Sequence, residues 1–359
     1  MLIRSKRGRA NVESRKAGKK SKTVKLKLLR NFVSYVLPIP LFLLFFYYVD
    51  LTQILNTLKG ANISWFFLSS CSFVAAIFMT GIRAEVIIGQ SSNSFRYFLS
   101  NSVSSLAMNV LPSRLGEISY PLMWKKYCNV PTSMGTATWI ITRVYDSLVL
   151  MLTYLSGFIL YSKVMPKFFQ GWWFMLVLGL LSLFLILLLY LPRTKLWNGK
   201  IRRIGKRHSI QKVNLWQRII RWLDSLFEDF EGIYSRKIYV KAFLISCVTI
   251  FFQFLFIYSM IRSVGYKLGF HEVILMSFLL FLSKIIQTLG NFGPHEAGIA
   301  GALILFGVAK DRAISIAIST HLLQLVPMVT LALFSYIILL KLGTENTSKL
   351  KRENKVFVK

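Results

Sequence analysis

The chain has 359 residues, 54% of them hydrophobic and 14% aromatic, with a formal net charge of +31. Several apolar runs approach or exceed the ~20 residues that cross a bilayer, which excludes a soluble domain. They are continuous, not alternating, which excludes a β-barrel and leaves an all-α polytopic membrane protein. Such a charge would suggest nucleic acid in a soluble protein, but here it sits in blocks flanking apolar spans, so no nucleic-acid partner is expected.

Residues 1–30 hold twelve Lys/Arg and one acid, Glu13. This basic arm is expected to be disordered on the inner leaflet, where each cation gains about 1 kcal/mol from anionic headgroups. No small-x-small cleavage site follows, so 32–49 reads as an uncleaved first span, kinked or started by Pro38 and Pro40. A short outer loop with Asp50 and Lys59 comes next. The second span is expected over 63–82, entering on Trp65 and leaving at Arg83, with 83–97 polar and cytoplasmic.

Residues 97–111 are apolar but about fifteen long, which suits a re-entrant half-helix ended by Pro112. Arg114, Gly116 and Glu117 sit at its tip, and the chain returns toward Lys125 and Lys126. Span 132–161 carries Arg143 and Asp146, and span 172–191 returns inside. Within the cytoplasmic loop 192–239, Trp216, Ile219, Ile220, Leu223, Leu226, Phe227 and Phe230 follow helical spacing. Arg218, Arg221, Asp224, Glu228 and Asp229 fall opposite. This predicts an amphipathic helix lying on the membrane or on the bundle.

Span 240–261 goes out. Segment 272–289 carries Lys284 and Gln287 and breaks at Gly290-Asn291-Phe292-Gly293-Pro294, with His295 expected exposed in the loop. A short apolar piece, 297–309, leads to the last span, 313–340, which holds His321, Gln324 and Pro327. The division is a 1–30 arm, a 31–340 transmembrane domain and a 341–359 basic tail. The basic blocks place both termini in the cytoplasm and the protein in the cytoplasmic (inner) membrane.

The two broken segments are related by spacing. Glu117 to Arg143 is 26 residues and Glu296 to His321 is 25, while Arg143–Asp146 and His321–Gln324 are both three apart. Paired interruptions in two halves fit an inverted-repeat transporter with its site near the midplane. Cys71, Cys128 and Cys247 form no CxxC pair and the histidines show no zinc spacing, so neither metal nor cofactor is expected.

The LPSRLGE segment, the later ITRVYD and the broken GNFGPHEAG before a long terminal span resemble the lysylphosphatidylglycerol synthase transmembrane-region family, from about residue 30 to 340. The resemblance implies a flippase-like bundle with re-entrant segments that handles lipids. By matching positions it carries Pro112, Arg114, Gly116 and Glu117, then Arg143 and Asp146, then Gly293 and Glu296. The second loop is usually richer in glycine; here Asn291, Pro294 and His295 stand in. Fused members carry a soluble aminoacyl-transferase domain that this chain is too short to hold, so synthesis of an aminoacylated lipid is not expected.

Broken helices expose backbone N–H and C=O groups, tolerated at depth only where they line a cavity or are buried. Such groups with Arg114 or Arg143 can hold a phosphate, since guanidinium donates bidentately. The candidate substrate-binding set is Arg114, Glu117, Arg143, Asp146, Lys284, Asn291, Glu296, His321 and Gln324, with no catalytic motif. One charge at the bilayer centre costs about 2.5–3.5 kcal/mol, so these charges either bind substrate or pair with one another. The expected partners are anionic phospholipid or lipid-linked phosphate, and an oligomer is compatible with the sequence. The leading function is a lipid translocase. Two alternatives are a glycosyltransferase using a polyprenyl-linked donor with Asp50 as its acid, and a scaffold subunit anchored by the basic arm.

Overall fold

A computed structural model describes residues 51–89, 94–111, 115–164, 166–167, 171, 176–184, 214–235, 238–283 and 288–356. The described residues are helical, with no strand among them. The first-span expectation at 32–49, Asp50, Arg114, Lys284 and Gln287 lie outside the described residues. The helices are α1 (Leu51–Lys59), α2 (Ile63–Ile88), α3 (Ser94–Val110), α4 (Ser119–Cys128), α5 (Thr132–Leu160), α6 (Asn214–Ser235), α7 (Tyr239–Ser263), α8 (Phe270–Ser283), α9 (Pro294–Leu305) and α10 (Lys310–Val356). A further helical piece covers 176–184. Among the described residues, α2, α5, α7 and the Lys310–Leu342 part of α10 are long and apolar enough to cross a membrane. The protein is a multi-pass helical membrane protein.

Helix α2 starts at Asn62, whose side chain accepts the Ser64 and Trp65 N–H groups. It runs antiparallel to α7, its most extensive partner. At one end of the pair, Asn62 N–H donates to Ser263 O at 2.7 Å. There Trp65 meets Tyr258 edge-on at 5.7 Å, and the Arg262 guanidinium lies 5.0 Å over the Trp65 ring. This suits the interfacial anchor expected of Trp65.

Two expectations near here are corrected. Residues 51–59 are a helix, not a loop; Ile54 is buried, and α1 packs on α10, where Thr57 Oγ1 lies 3.5 Å from Ser315 Oγ. Helix α2 does not leave at Arg83 but continues to Ile88. Gly89 closes it in the left-handed region at φ 68°, with its N–H returned to Glu85 O. Arg83, Ala84, Ile87 and Ile88 are all buried. The apolar face resumes after the arginine, so burial overrides the charge as the helix boundary.

The order helix, break, helix, long helix occurs twice. In the first half it is α3, the 3₁₀ turn Leu115–Ile118, α4 and α5. In the second it is α8, the 3₁₀ turn Leu289–Asn291, α9 and α10. Each long helix packs on its own half and on the other half's hairpin: α10 lies against α3, and α5 against α8. The paired breaks read from the sequence thus reappear as a reciprocal exchange of contacts. The hairpins are held by close approach of small residues, as in other membrane bundles. A Cβ on Gly116 would fall 2.3 Å from Met108 Cα, and one on Gly298 3.1 Å from Leu280 Cα.

Helix α3 is less apolar than its length suggested. Ser100, Asn101, Ser102, Ser104 and Ser105 are buried. Asn101 ties three helices, donating to Thr80 Oγ1 at 3.2 Å and accepting from Trp124 Nε1 at 2.8 Å. Helix α6 is the amphipathic helix expected from the spacing, and it packs on α5. Leu226 and Ile233 are buried there, with Leu223 and Phe230 partly buried against the same cluster. The side chains of Trp216, Ile219, Ile220 and Phe227 lie outside the described set.

Candidate functional site

The ionisable residues gather in two places rather than one. The first is where α2, α5 and α7 meet. Arg83 is 2% exposed. Its Nη1 donates to Asp146 Oδ1, its Nη2 donates to Asp146 Oδ2 at 3.0 Å, and Nη1 also reaches Ser246 Oγ at 2.7 Å. A bidentate fork of this kind is the strong form of a charge-assisted hydrogen bond. It uses both oxygens of Asp146.

Arg143 is the second and more distant cation at this carboxylate, and it also hydrogen-bonds the Tyr120 side chain. It stands one turn before Asp146 on α5, yet its Nη1 is 4.0 Å from Asp146 Oδ2, beyond hydrogen-bond reach, and its side chain is 42% exposed. The guanidinium lies over Tyr120 of α4 at 5.8 Å and over Trp139 of α5 at 5.6 Å. Aromatic faces at this range hold a cation without neutralising it. Two guanidiniums face one carboxylate, so the cluster carries one net positive charge. Arg143 Nε and Trp139 Nε1, four residues apart on one helix face, are buried donors without a hydrogen-bond partner among the described residues. The arrangement is a neutralised pair supporting a half-open cation in an aromatic frame, which is suited to an anion that brings several acceptor oxygens.

The second cluster joins α9 to α10. Glu296 and His321 are 2% and 1% exposed. His321 Nδ1 lies 2.5 Å from Glu296 Oε1. The other carboxylate oxygen accepts Gly293 N–H at 2.7 Å, capping α9. The backbone needs this cap: Gly290, Asn291 and Gly293 all have positive φ, and at 93° Gly293 is in a region open to glycine. Glu296 thus places its own carboxylate at the α9 N-terminus. His295 is not exposed in a loop, as expected, but buried in α9, because its ring stacks on His321 at 4.2 Å.

The two breaks do meet, through neutral groups. Asn291 Nδ2 donates to Asn109 Oδ1 at 2.9 Å, so the turn of the second hairpin touches the end of α3. Glu117 is half-buried and Gln324 half-buried; neither forms an ion pair among the described residues. Of the nine candidates, then, Arg143 and Asp146 share one cluster and Glu296 and His321 another. Asn291 bridges the breaks, and Arg114 and Lys284 lie outside the described residues.

The spacing argument is only partly realised. The second half's acid and base touch across 25 residues, whereas Asp146 is held by Arg83. Sequence reading missed Arg83 by taking it for a helix exit; the signal was Gly89, a better stop six residues later. Asn101 was missed because one amide in a serine-rich run has no periodic signature. A groove of about 740 Å³ between α2 and α10, lined by Phe66, Phe67, Cys71, Phe78, Val326 and Phe334 among others, has no charged side chain in its lining. Ser70 and Thr330 are its polar lining residues.

Among curated proteins, none matches the chain. A sequence family described as the lysylphosphatidylglycerol synthase TM region matches residues 22–332. With that match over most of its length, and four helices among the described residues long and apolar enough to cross a membrane, the chain belongs to the lysylphosphatidylglycerol synthase transmembrane-region family.

Proposed function

We propose that this protein moves a phosphate-bearing lipid, a phospholipid or a polyprenyl-phosphate-linked lipid, between the leaflets of the cytoplasmic membrane. Arg143 receives the phosphate. The observation that carries the reading is the surplus, half-open guanidinium of Arg143 beside the satisfied Arg83–Asp146 pair. A purely structural network would neutralise itself. This one keeps a cation whose burial is costly and leaves it reachable.

In this reading the hairpins α3–α4 and α8–α9 are re-entrant and approach each other within the bilayer. Their helices support it by length: 17 residues in α3 and 14 in α8 span about 25 and 21 Å, short of the ~30 Å hydrocarbon layer. The basic blocks at both ends of the chain and in 192–239 put those segments in the cytoplasm. The lipid's tails stay in the surrounding hydrocarbon while the head passes between the halves.

The test uses proteoliposomes carrying fluorescent phospholipids or tagged polyprenyl phosphates, with a membrane-impermeant quencher reporting leaflet exchange. Wild type exchanges at least one of them. Arg143→Gln slows exchange about tenfold or more, the cost of one lost charge-assisted contact, and Arg143→Lys recovers part of it. Folded wild-type protein that exchanges none of these lipids defeats the proposal.

A further inference from the structure

We propose that Glu296, His321 and His295 form a proton-binding site that couples lipid movement to a proton gradient. The inference rests on the translocase reading above and adds its driving ion. It starts from the burial of the pair. A carboxylate alone in a dry interior is strongly disfavoured, and so is an imidazolium alone. With His321 Nδ1 at 2.5 Å from Glu296 Oε1, one added proton makes the pair neutral overall and its removal leaves a buried negative charge. The two side chains therefore share one buried proton-binding position.

His295 sets the limit. Its ring is stacked 4.2 Å from that of His321 at an interplanar angle of 30°. Two imidazolium charges at that distance repel strongly in a low dielectric, so the stack carries one positive charge at most. Phe292, 4.6 Å from His321, closes another side. The group is one acid and two imidazoles with room for a single mobile proton.

Other titratable groups on the elements packed around α9 and α10 are engaged or placed elsewhere; on α8, His271 lies between Tyr161 and Phe306. Arg83 on α2 is held by Asp146, and Glu85 by Ser94. Glu272 on α8 accepts from Tyr266 and from Gly269 N–H. Arg262 on α7 lies over Trp65 and Tyr258. Lys59 on α1, Lys241 on α7, and Lys310, Asp311 and Arg312 at the start of α10 are exposed. Arg96 is in the first turn of α3, thirteen residues before Asn109. Gln324, one turn beyond His321, is neutral.

The link to movement is the second oxygen of Glu296. It caps Gly293, whose backbone is the bend in the second hairpin. That bend carries Asn291, and Asn291 is the contact to Asn109 on the first hairpin. Protonating the carboxylate weakens the cap by removing its charge while an acceptor oxygen remains, so occupancy by a proton and closure of the two breaks are coupled. A carboxylate and histidines facing the interior of a bundle are the groups that serve as proton relays in membrane transport.

Two measurements test this. In the first, vesicles containing the full chain and a fluorescent phosphatidylglycerol are given a pH gradient of either sign, with a pH dye inside. Wild type should shift the label toward one leaflet, reverse when the gradient is reversed, and move protons only when lipid is present. Glu296→Gln, which keeps an acceptor for Gly293 N–H, and His321→Gln should lose the gradient response. In the second, spectra of isotope-labelled histidine in the detergent-solubilised protein are followed between about pH 5 and about pH 8. One shared proton on His295 and His321 is expected in wild type, and its titration should disappear in Glu296→Gln. Exchange that is indifferent to the gradient, or a His321 spectrum that does not change, overturns the proton site and leaves the translocase standing. Protein that exchanges no lipid under any gradient overturns both.

Discussion

Asp146 matters to the fold more than its exposed neighbour does. Its carboxylate is the counter-charge of Arg83, which is buried among α2, α5 and α7. Asp146→Ala leaves that guanidinium unpaired in the interior, and removing one member of a buried pair costs about 3–5 kcal/mol. Thermal or denaturant unfolding in detergent should show the loss, and adding Arg83→Met should recover most of it. If Asp146→Ala unfolds like wild type, the pair is not what holds these helices. Gly116 has a different role, to allow contact. A methyl there would enter the backbone of Met108 and Ala107, both within 2.7 Å. Backbone cannot swing aside like a side chain, so Gly116→Ala should destabilise by about 1–3 kcal/mol and separate the turn from α3. The same unfolding assay reads it.

Helix α6 shows how one amphipathic pattern serves two readings until its partner is known. Its spacing fits a membrane-surface helix and a packing helix equally. Leu226 and Ile233 are buried against the cluster that includes Tyr145 and Ile141, while Trp222 points outward at 38% exposure. Leu226→Ala should therefore cost about 2–3 kcal/mol of stability, and Trp222→Ala should leave stability unchanged. The reverse order would mean that lipid, not α5, covers the apolar face. Helices α8 and α9 share a second device. Each starts at a glycine whose N–H is taken by a glutamate three residues on, Gly269 with Glu272 and Gly293 with Glu296. A Gly-x-x-Glu start supplies the cap without a side chain at the first position. In α9 the same glutamate also meets His321, so a local helix signal doubles as part of a long-range pair.

The whole molecule combines a basic periphery with an interior in which charges are placed in small groups. Residues 1–30 hold twelve Lys/Arg, while among the described residues both ionic clusters and the Asn291–Asn109 contact are built by side chains beyond residue 51. Deleting 1–28 should therefore change lipid exchange little, and any effect should appear only in vesicles containing anionic lipid, where the arm gains from the surface potential. Loss of all exchange with the clusters intact would favour the scaffold reading instead.

The amino-acid sequence was enough to establish a helical membrane protein, because apolar runs of spanning length have no other stable use. It also located both breaks, from the helix-breaking chemistry of the residue types at Pro112 and in the Gly290–Pro294 stretch. Asn291 and Arg143 were legible as unusual residues in apolar surroundings. Their partners were not. That Asp146 belongs to Arg83, 63 residues away, and that Asn291 reaches Asn109 across 182 residues, depends on which helix faces are brought together. A charge in a helix is visible one residue at a time, but whether it is spent on a partner or left for a ligand is a property of packing. Tertiary structure made that division here, tying down Arg83, Asp146, Glu296 and His321 and leaving Arg143 half open.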